Sequence, residues 1–400
     1  MTEKRSRILV VGAGFAGAVA ARLMAEAGFF VDVIDKRPHI GGNAFDRVNA
    51  HGVRVHAYGP HLFHTNNTKV VEWLSAFTSW VPYEHRVTAL LPGGDLVPLP
   101  INRRTLEAVF REPLADEAAV AALLQRTGTQ LAHPANAEEY LHARLGPELT
   151  ELFFARYTRK MWGMSLSELD ASVVQRIPIR TDDEDRYFPG DSFQALPANG
   201  YTALFERMLA HDNIHVGLSV AFDKTMLARY RHAFLSLPID EFYDFRLGEL
   251  PYRSIRFRHE DVSAATVTAR TATVNFTDTS GFTRKTYWHL LPAHWVTRGA
   301  TVTCTTEEPC DYKDNEFERY YPVKTADGRY QALYKAYADH AAQEDGVTFI
   351  GRCGTYQYLD MHQVVNQTMA IVRRWLADRG YAPDRGFGGS GIAERQGLQA

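Results

Sequence analysis

The chain has 400 residues, 45% hydrophobic and 23% charged, with a formal net charge of -3. This is globular composition, long enough for two or three domains or for one nucleotide domain with insertions. The charge excludes a polyanion-binding role spread over the whole chain and gives no reason to expect nucleic acid. Cys304, Cys310 and Cys353 are the only cysteines and lack CxxC spacing. That pattern excludes a disulfide framework or cysteine zinc site and fits a reducing cytoplasm.

The start "MTEKRSRILVVGAGFAGAVAARLM" has the basic and apolar look of a signal peptide, but Arg22 and Glu26 break the run and its glycines are spaced as a turn. No later stretch has the roughly 18 uncharged apolar residues of a membrane span. Residues 7–11 ("RILVV") read as a buried parallel strand, 18–28 as an Ala-rich helix and 30–35 ("FVDVID") as a second strand. Between strand and helix lies "GAGFAG", with Gly12, Gly14 and Gly17 in GxGxxG register. Gly12 suits a tight turn, Gly14 a close backbone approach to a pyrophosphate, and Gly17 close helix–strand packing. The helix N-terminus adds unpaired N–H groups. Asp35, about 20 residues on, is placed to accept hydrogen bonds from a ribose. The order of strand, turn, helix, strand and acid predicts dinucleotide binding.

Residues 104–161 are rich in helical signals punctuated by Pro113, Pro134, Gly146 and Pro147, and predict an inserted helical bundle. "RVTALL", "SIRFRHE", "TATVNFT" and "ATVTCTT" alternate as in a separate, largely antiparallel sheet built from noncontiguous segments. "GYTALFERML" and "IHVGLSV" return to helix and strand for the nucleotide domain. "VTFI" (347–350) predicts another strand, running into Gly351, Arg352, Cys353 and Gly354. Ligands of open α/β sheets collect beyond such strand ends. The tail after Gly380 is expected to be mobile. His61 and His64 share "GPHLFH" but have no acidic or cysteine ligand motif nearby, so no metal is expected.

The second glycine pair, Gly41-Gly42-Asn43, after the ribose acid and the basic Lys36, resembles flavoproteins of the glutathione-reductase and amine-oxidase type. That resemblance makes the cofactor FAD. "GGNAFD", "YGPHLFHTNN", "RYTRKMWG", "RIPIRTDDEDRYF", "LPANGYTALFERML" and "GTYQYLDM" together, in order up to about residue 378, resemble bacterial UDP-galactopyranose mutases. The resemblance implies ring contraction of UDP-galactopyranose to UDP-galactofuranose without net redox change. Reduced FAD would attack the anomeric carbon through N5, displace UDP and pass through a flavin–sugar iminium. NAD(P)H or another reductant would activate it. With the nucleophile on the cofactor, the absence of GxSxG and HExxH motifs is expected.

It also implies α/β architecture: a discontinuous Rossmann-like FAD domain (1–82, 195–245, 330–400), a helical bundle (100–165) and a sheet domain (83–99, 166–194, 246–329). A mobile lid would lie near 163–180, and the relatives suggest a homodimer. A leaving diphosphate needs arginines; the matching positions are Arg176 and Arg284. Tyr157 and Trp162 match the uridine-binding segment, while Phe153 and Phe154 precede them mainly as core. Tyr187, Phe188, Asn275, Tyr321, Tyr358 and Asp360 match positions near the nucleotide sugar. Phe15, Ala16, Lys36, Gly42, Asn43 and Val220 match FAD contacts, as do Arg352, Asp360 and Met361. His61 lies near the flavin by the same resemblance, where it could stabilise a redox-dependent active state.

Two departures stand out. Asp35 replaces the more frequent glutamate, a shorter reach to the same ribose. "TRKTYWHLLP" places Tyr287, Trp288 and His289 where many members carry a "TRIIEHKHF"-like run. This change either tunes the enzyme to another sugar or nucleotide (a deoxy- or amino-hexose, dTDP- or GDP-linked) or is drift in a supporting strand. A flavin amine oxidase or desaturase and a non-enzymatic flavin-fold binding protein are the competing classes.

Overall fold

Ile8, Leu9 and Val10 are all fully buried. An unbroken apolar run suits a strand covered on both faces, and Arg7–Val11 is the central strand of a parallel sheet. In the computed structural model, which describes residues 6–175 and 177–381, the five-stranded order is Ile214–Leu218, Phe30–Asp35, Arg7–Val11, His232–Leu235, Val347–Phe349. All four pairings are parallel. Helix Phe15–Glu26 buries Ala18, Val19, Ala20, Ala21 and Met24 and packs on helices Met361–Ala377 and Gly200–Leu209. The sheet's connections go in opposite directions on either side of Arg7–Val11. The glycine turn after this strand therefore sits at the switch point where open α/β sheets bind ligands.

The second sheet has seven strands, in the order Tyr321–Pro322, Tyr252–Ser263, Thr301–Asp311, Arg284–Tyr287, Thr273–Phe276, Val87–Leu90, Leu96–Leu99. It is antiparallel except where Thr273–Phe276 runs parallel to Val87–Leu90, two segments far apart in sequence. The helical insertion begins with Arg103–Phe110, Glu117–Thr127 and Ala137–Leu145, capped by Asn102, Asp116 and Asn136, each accepting a backbone N–H of its helix's first turn. These caps satisfy amides that have no partner within the helix. Pro147–Thr150 and Arg156–Trp162 flank a π-helical turn, Glu151–Ala155, a feature common at functional sites.

The strand expected over 347–350 stops at Phe349, and Gly351, at φ +71°, opens one helical turn, Gly351–Gly354. An added Cβ at Gly351 would meet Ala16 Cβ and Ser236 Oγ, each at 2.8 Å. Glycine is thus required both for conformation and for space. The tail from residue 382 and Arg176 lie outside the described residues. Among the described residues no helix is long and apolar enough to cross a membrane.

Candidate active site

A single cavity of about 1120 Å³ runs from the glycine turn of the parallel sheet, past the seven-stranded sheet, to the end of the helical insertion. It exceeds the usual range of roughly 300–1,000 Å³ for one small ligand. Every described residue expected from the sequence to contact cofactor or substrate lines it except Gly17.

At its glycine end, Gly12 has φ +99° and Gly41 N–H donates to Ala13 O at 2.8 Å. The Gly14 and Gly42 backbones pass so closely that a Cβ on Gly42 would lie 3.0 Å from Gly14 Cα. Gly17 acts behind the cavity, where a Cβ would come within 1.7 Å of Gly12 O. Asp35 accepts from Ala13 N–H at 2.7 Å and from Arg37 N–H at 2.9 Å. It therefore braces the turn while each oxygen keeps a lone pair for a ribose hydroxyl. Arg37 bonds Asn43 Oδ1 at 2.9 Å, lies 4.3 Å over the Tyr58 ring and, with Lys36, pairs with Glu318.

Midway, the Arg352 guanidinium lies 5.0 Å from the Tyr358 ring centroid and 5.1 Å from that of Tyr321. Its Nε and Nη2 are buried without a hydrogen-bond partner among the described residues. Buried donors left without acceptors are costly, so these two are poised for an acceptor such as an anion. Asp360 caps Met361–Ala377 through a capping box with Gln363. Tyr321 and Tyr358 stack with centroids 5.1 Å apart. Burial, followed by the neighbouring phenols of Tyr358 and Tyr320, pushes the Tyr321 phenol up; burial also pushes up Tyr157. Both remain protonated donors at neutral pH.

Arg284 and Glu307 are directly opposed cross-strand partners, with Nε and Oε2 2.9 Å apart. Burial opposes the Arg284 charge, but Glu307 and the phenols of Tyr157, Tyr321 and Tyr187 hold its pKa well above the ordinary value. Burial also pushes the Glu307 carboxyl up, with Arg284 pulling the other way. The cation is held by one carboxylate and faces a cavity of neutral phenols. Glu307 escaped the sequence reading because only the strand register brings it beneath Arg284.

The helical insertion ends in Tyr157 and Trp162, with Phe153 and Phe154 serving both as bundle core and as cavity wall. Val173, Val174 and Ile177 line the same apolar end. Asn275 Oδ1 is buried and unpartnered. His64 stacks on Phe188 at 3.5 Å and contacts Asp191 Oδ2 at 2.6 Å. His85, also unforeseen, lines the cavity with Nδ1 3.2 Å from Tyr83 OH. No group of three or more metal-ligating residues occurs among the described residues. Tyr287, Trp288 and His289 do not line the cavity. Trp288 is fully buried, and its indole N–H donates to Thr305 Oγ1 at 2.6 Å. The departure from the family run is therefore support behind the site.

Burial, followed by Arg284 and His64, depresses His85 to about 3. Burial also takes His61 and His294 down to about 4, against hydrogen bonds that favour their charged forms. The unfolded chain binds protons to these rings near pH 6.5 while the folded chain refuses them. Folding stability from these groups is therefore complete above about pH 6.5 and falls as pH drops toward about 4. Urea unfolding across that window should show a rising midpoint with pH; a flat midpoint would contradict it.

Residues 152–358 match the family described as GLF, UDP-galactopyranose mutase, and residues 10–77 match the NAD(P)-binding Rossmann-like domain. A probable UDP-galactopyranose mutase of Klebsiella pneumoniae is 36% identical over 92% of this chain and 94% of its own length. The dTDP-fucopyranose mutase of Escherichia coli is 32% identical over 93% of this chain and 98% of its own. A crystal structure of reduced UDP-galactopyranose mutase shares the fold, with TM-score 0.73 at 17% identity over 93% of this chain and 94% of that one. The chain belongs to the UDP-galactopyranose mutase family and is a nucleotide-sugar pyranose/furanose mutase, an isomerase on a Rossmann-like dinucleotide-binding fold.

Proposed function

We propose that the protein interconverts UDP-galactopyranose and UDP-galactofuranose with FAD in the glycine-lined half of the cavity and the nucleotide sugar in the other. The observation that carries this reading is the pair of cations in one cavity, Arg352 with two buried N–H groups lacking acceptors among the described residues, and Arg284 held by Glu307 beyond it. FAD fits the residues present: two glycine backbones in near contact, a bracing carboxylate and a guanidinium with those two orphaned N–H groups. Bound and reduced, the flavin would supply the nucleophile the chain lacks.

The chain's own residues do the remainder. Arg284 and Arg176 neutralise the diphosphate, and Tyr187, Tyr321 and Tyr358 surround it with phenols. Holding these donors in a water-poor cavity strengthens them toward the departing diphosphate. Tyr157 and Trp162 take the base, with Phe153 and Phe154 completing its wall. His61 donates its Nδ1–H to Gly59 O at 2.9 Å and so keeps Nε2 as an acceptor in the cavity. The 163–180 segment acts as the lid.

A second reading keeps the chemistry and changes the substrate to a dTDP-linked 6-deoxyhexose. The E. coli relative named for dTDP-fucopyranose is nearly as similar as the Klebsiella one. Val173, Val174 and Ile177 also give the base end an apolar wall suited to a thymine methyl. Offering UDP-galactofuranose and dTDP-fucofuranose separately to the reduced protein under argon decides between them. A higher kcat/KM for the UDP sugar is expected; turnover of the dTDP sugar alone would transfer the assignment.

A further inference from the structure

Behind the cavity, the buried histidines His56 and His294 face each other, Nε2 to Nε2, at 2.9 Å. Their partners fix every proton. His294 Nδ1 lies 2.8 Å from the Pro292 carbonyl, an acceptor only, so Nδ1 carries the hydrogen. Nε2 of that neutral ring is then an acceptor, and His56 Nε2–H donates to it. His56 Nδ1 is left to accept, and it takes the backbone N–H of His61 at 3.1 Å. His61 in turn donates Nδ1–H to Gly59 O. Three neutral rings thus form one chain of hydrogen bonds with a single consistent set of tautomers, ending at a cavity-lining side chain.

We infer that His56 and His294 are positioning residues that hold His61 in place and fix its backbone in the loop where Nε2 is the acceptor presented to the cavity. The surroundings enforce neutrality. Burial lowers His56 well below its ordinary value, followed by His294, His61 and Arg54. Arg54 sits beside the pair, its Nη1 3.6 Å from Asp46 Oδ2. Beyond His61 are the charges of Arg352, Asp46 and Arg284. Trp288 covers His56 at 4.9 Å between centroids, and Tyr201 meets both His56 and His61 edge-on. A protonated His56 would have no acceptor for its Nδ1–H and would turn against the His61 amide instead of receiving it. Trp288, from the run that departs from the family, thus covers His56, and His294, just beyond that run, supplies its acceptor.

This rests on the flavin and nucleotide-sugar reading of the cavity, but its main readout needs no turnover. In the FAD-loaded protein carrying ¹⁵N-histidine, long-range NMR correlations at neutral pH should show Nδ1–H for His61 and His294 and Nε2–H for His56. An Nε2–H tautomer at His61 in the wild type would overturn the inference, whichever sugar is turned over. His294→Leu removes the acceptor. It should mix the His61 tautomers and lower kcat about tenfold or more at unchanged KM. His294→Gln, whose amide oxygen can accept from His56, should restore both. If the Leu and Gln variants match in tautomer and kcat, the pair only fills space and the inference fails. Should the Leu variant not fold, the wild-type spectrum alone decides.

Discussion

Arg284→Ala is expected to lower kcat/KM by about 10³-fold while leaving bound flavin in place, because it removes a charge-assisted donor from the leaving diphosphate. The same change should destabilise the fold by roughly 3–5 kcal/mol, the cost of leaving a buried charge without its partner. That charge is Glu307, 1% exposed and directly opposite on the neighbouring strand. Burial already pushes the Glu307 carboxyl up, and losing the cation pushes it further. A carboxyl raised in the folded state loses stability as pH rises through the acid range, so the variant's deficit should shrink at low pH. Adding Glu307→Gln should recover much of the stability and none of the activity. Urea melts and initial rates on the three proteins test both statements; full activity in Arg284→Ala would remove the arginine from the diphosphate site.

Gly17→Ala should cost more than about 3 kcal/mol and abolish flavin retention, although the substitution adds one methyl group. The added carbon would lie 1.7 Å from Gly12 O and 2.9 Å from Gly12 C, both backbone atoms that cannot rotate away. Relief requires the helix to leave the strand, which also moves the Gly14 cradle. Gly281, with nothing within 4 Å of an added Cβ, is the control, and Gly281→Ala should change stability by less than about 0.5 kcal/mol. A Gly17→Ala protein that retained flavin and melted with the wild type would contradict the packing described here.

The difference between these two glycines shows what a sequence displays and what it hides. Gly17 was legible because GxGxxG spacing, an apolar strand and the acid at Asp35 all describe one local unit. The helices Arg103–Phe110, Glu117–Thr127 and Ala137–Leu145 were legible for the same reason, since their signals are local. Motifs likewise identified Tyr157, Trp162, Tyr321, Tyr358 and Arg352, whose side chains converge on the cavity. Glu307 and His85 sit in ordinary alternating segments, and nothing local distinguishes them from their neighbours. Only the pairing of Arg284 with Glu307 across two strands reveals the first. The Tyr287-Trp288-His289 departure left two readings open, a change of specificity or drift in a supporting strand. It begins three residues after the cavity-lining Arg284, yet none of the three lines the cavity and Trp288 alone is buried, packed on His56.

The central claim is an isomerisation in which the flavin must be reduced but is not consumed. Counting product per reducing equivalent tests it most directly. The protein is reduced once under argon with dithionite equal to its flavin, excess reductant is removed, and UDP-galactofuranose is added. Many molecules of UDP-galactopyranose per flavin, with the flavin still reduced at the end and no turnover by the oxidised protein, is the predicted result. One product or fewer per flavin, with reoxidation keeping pace, would make the protein an oxidoreductase and contradict the account.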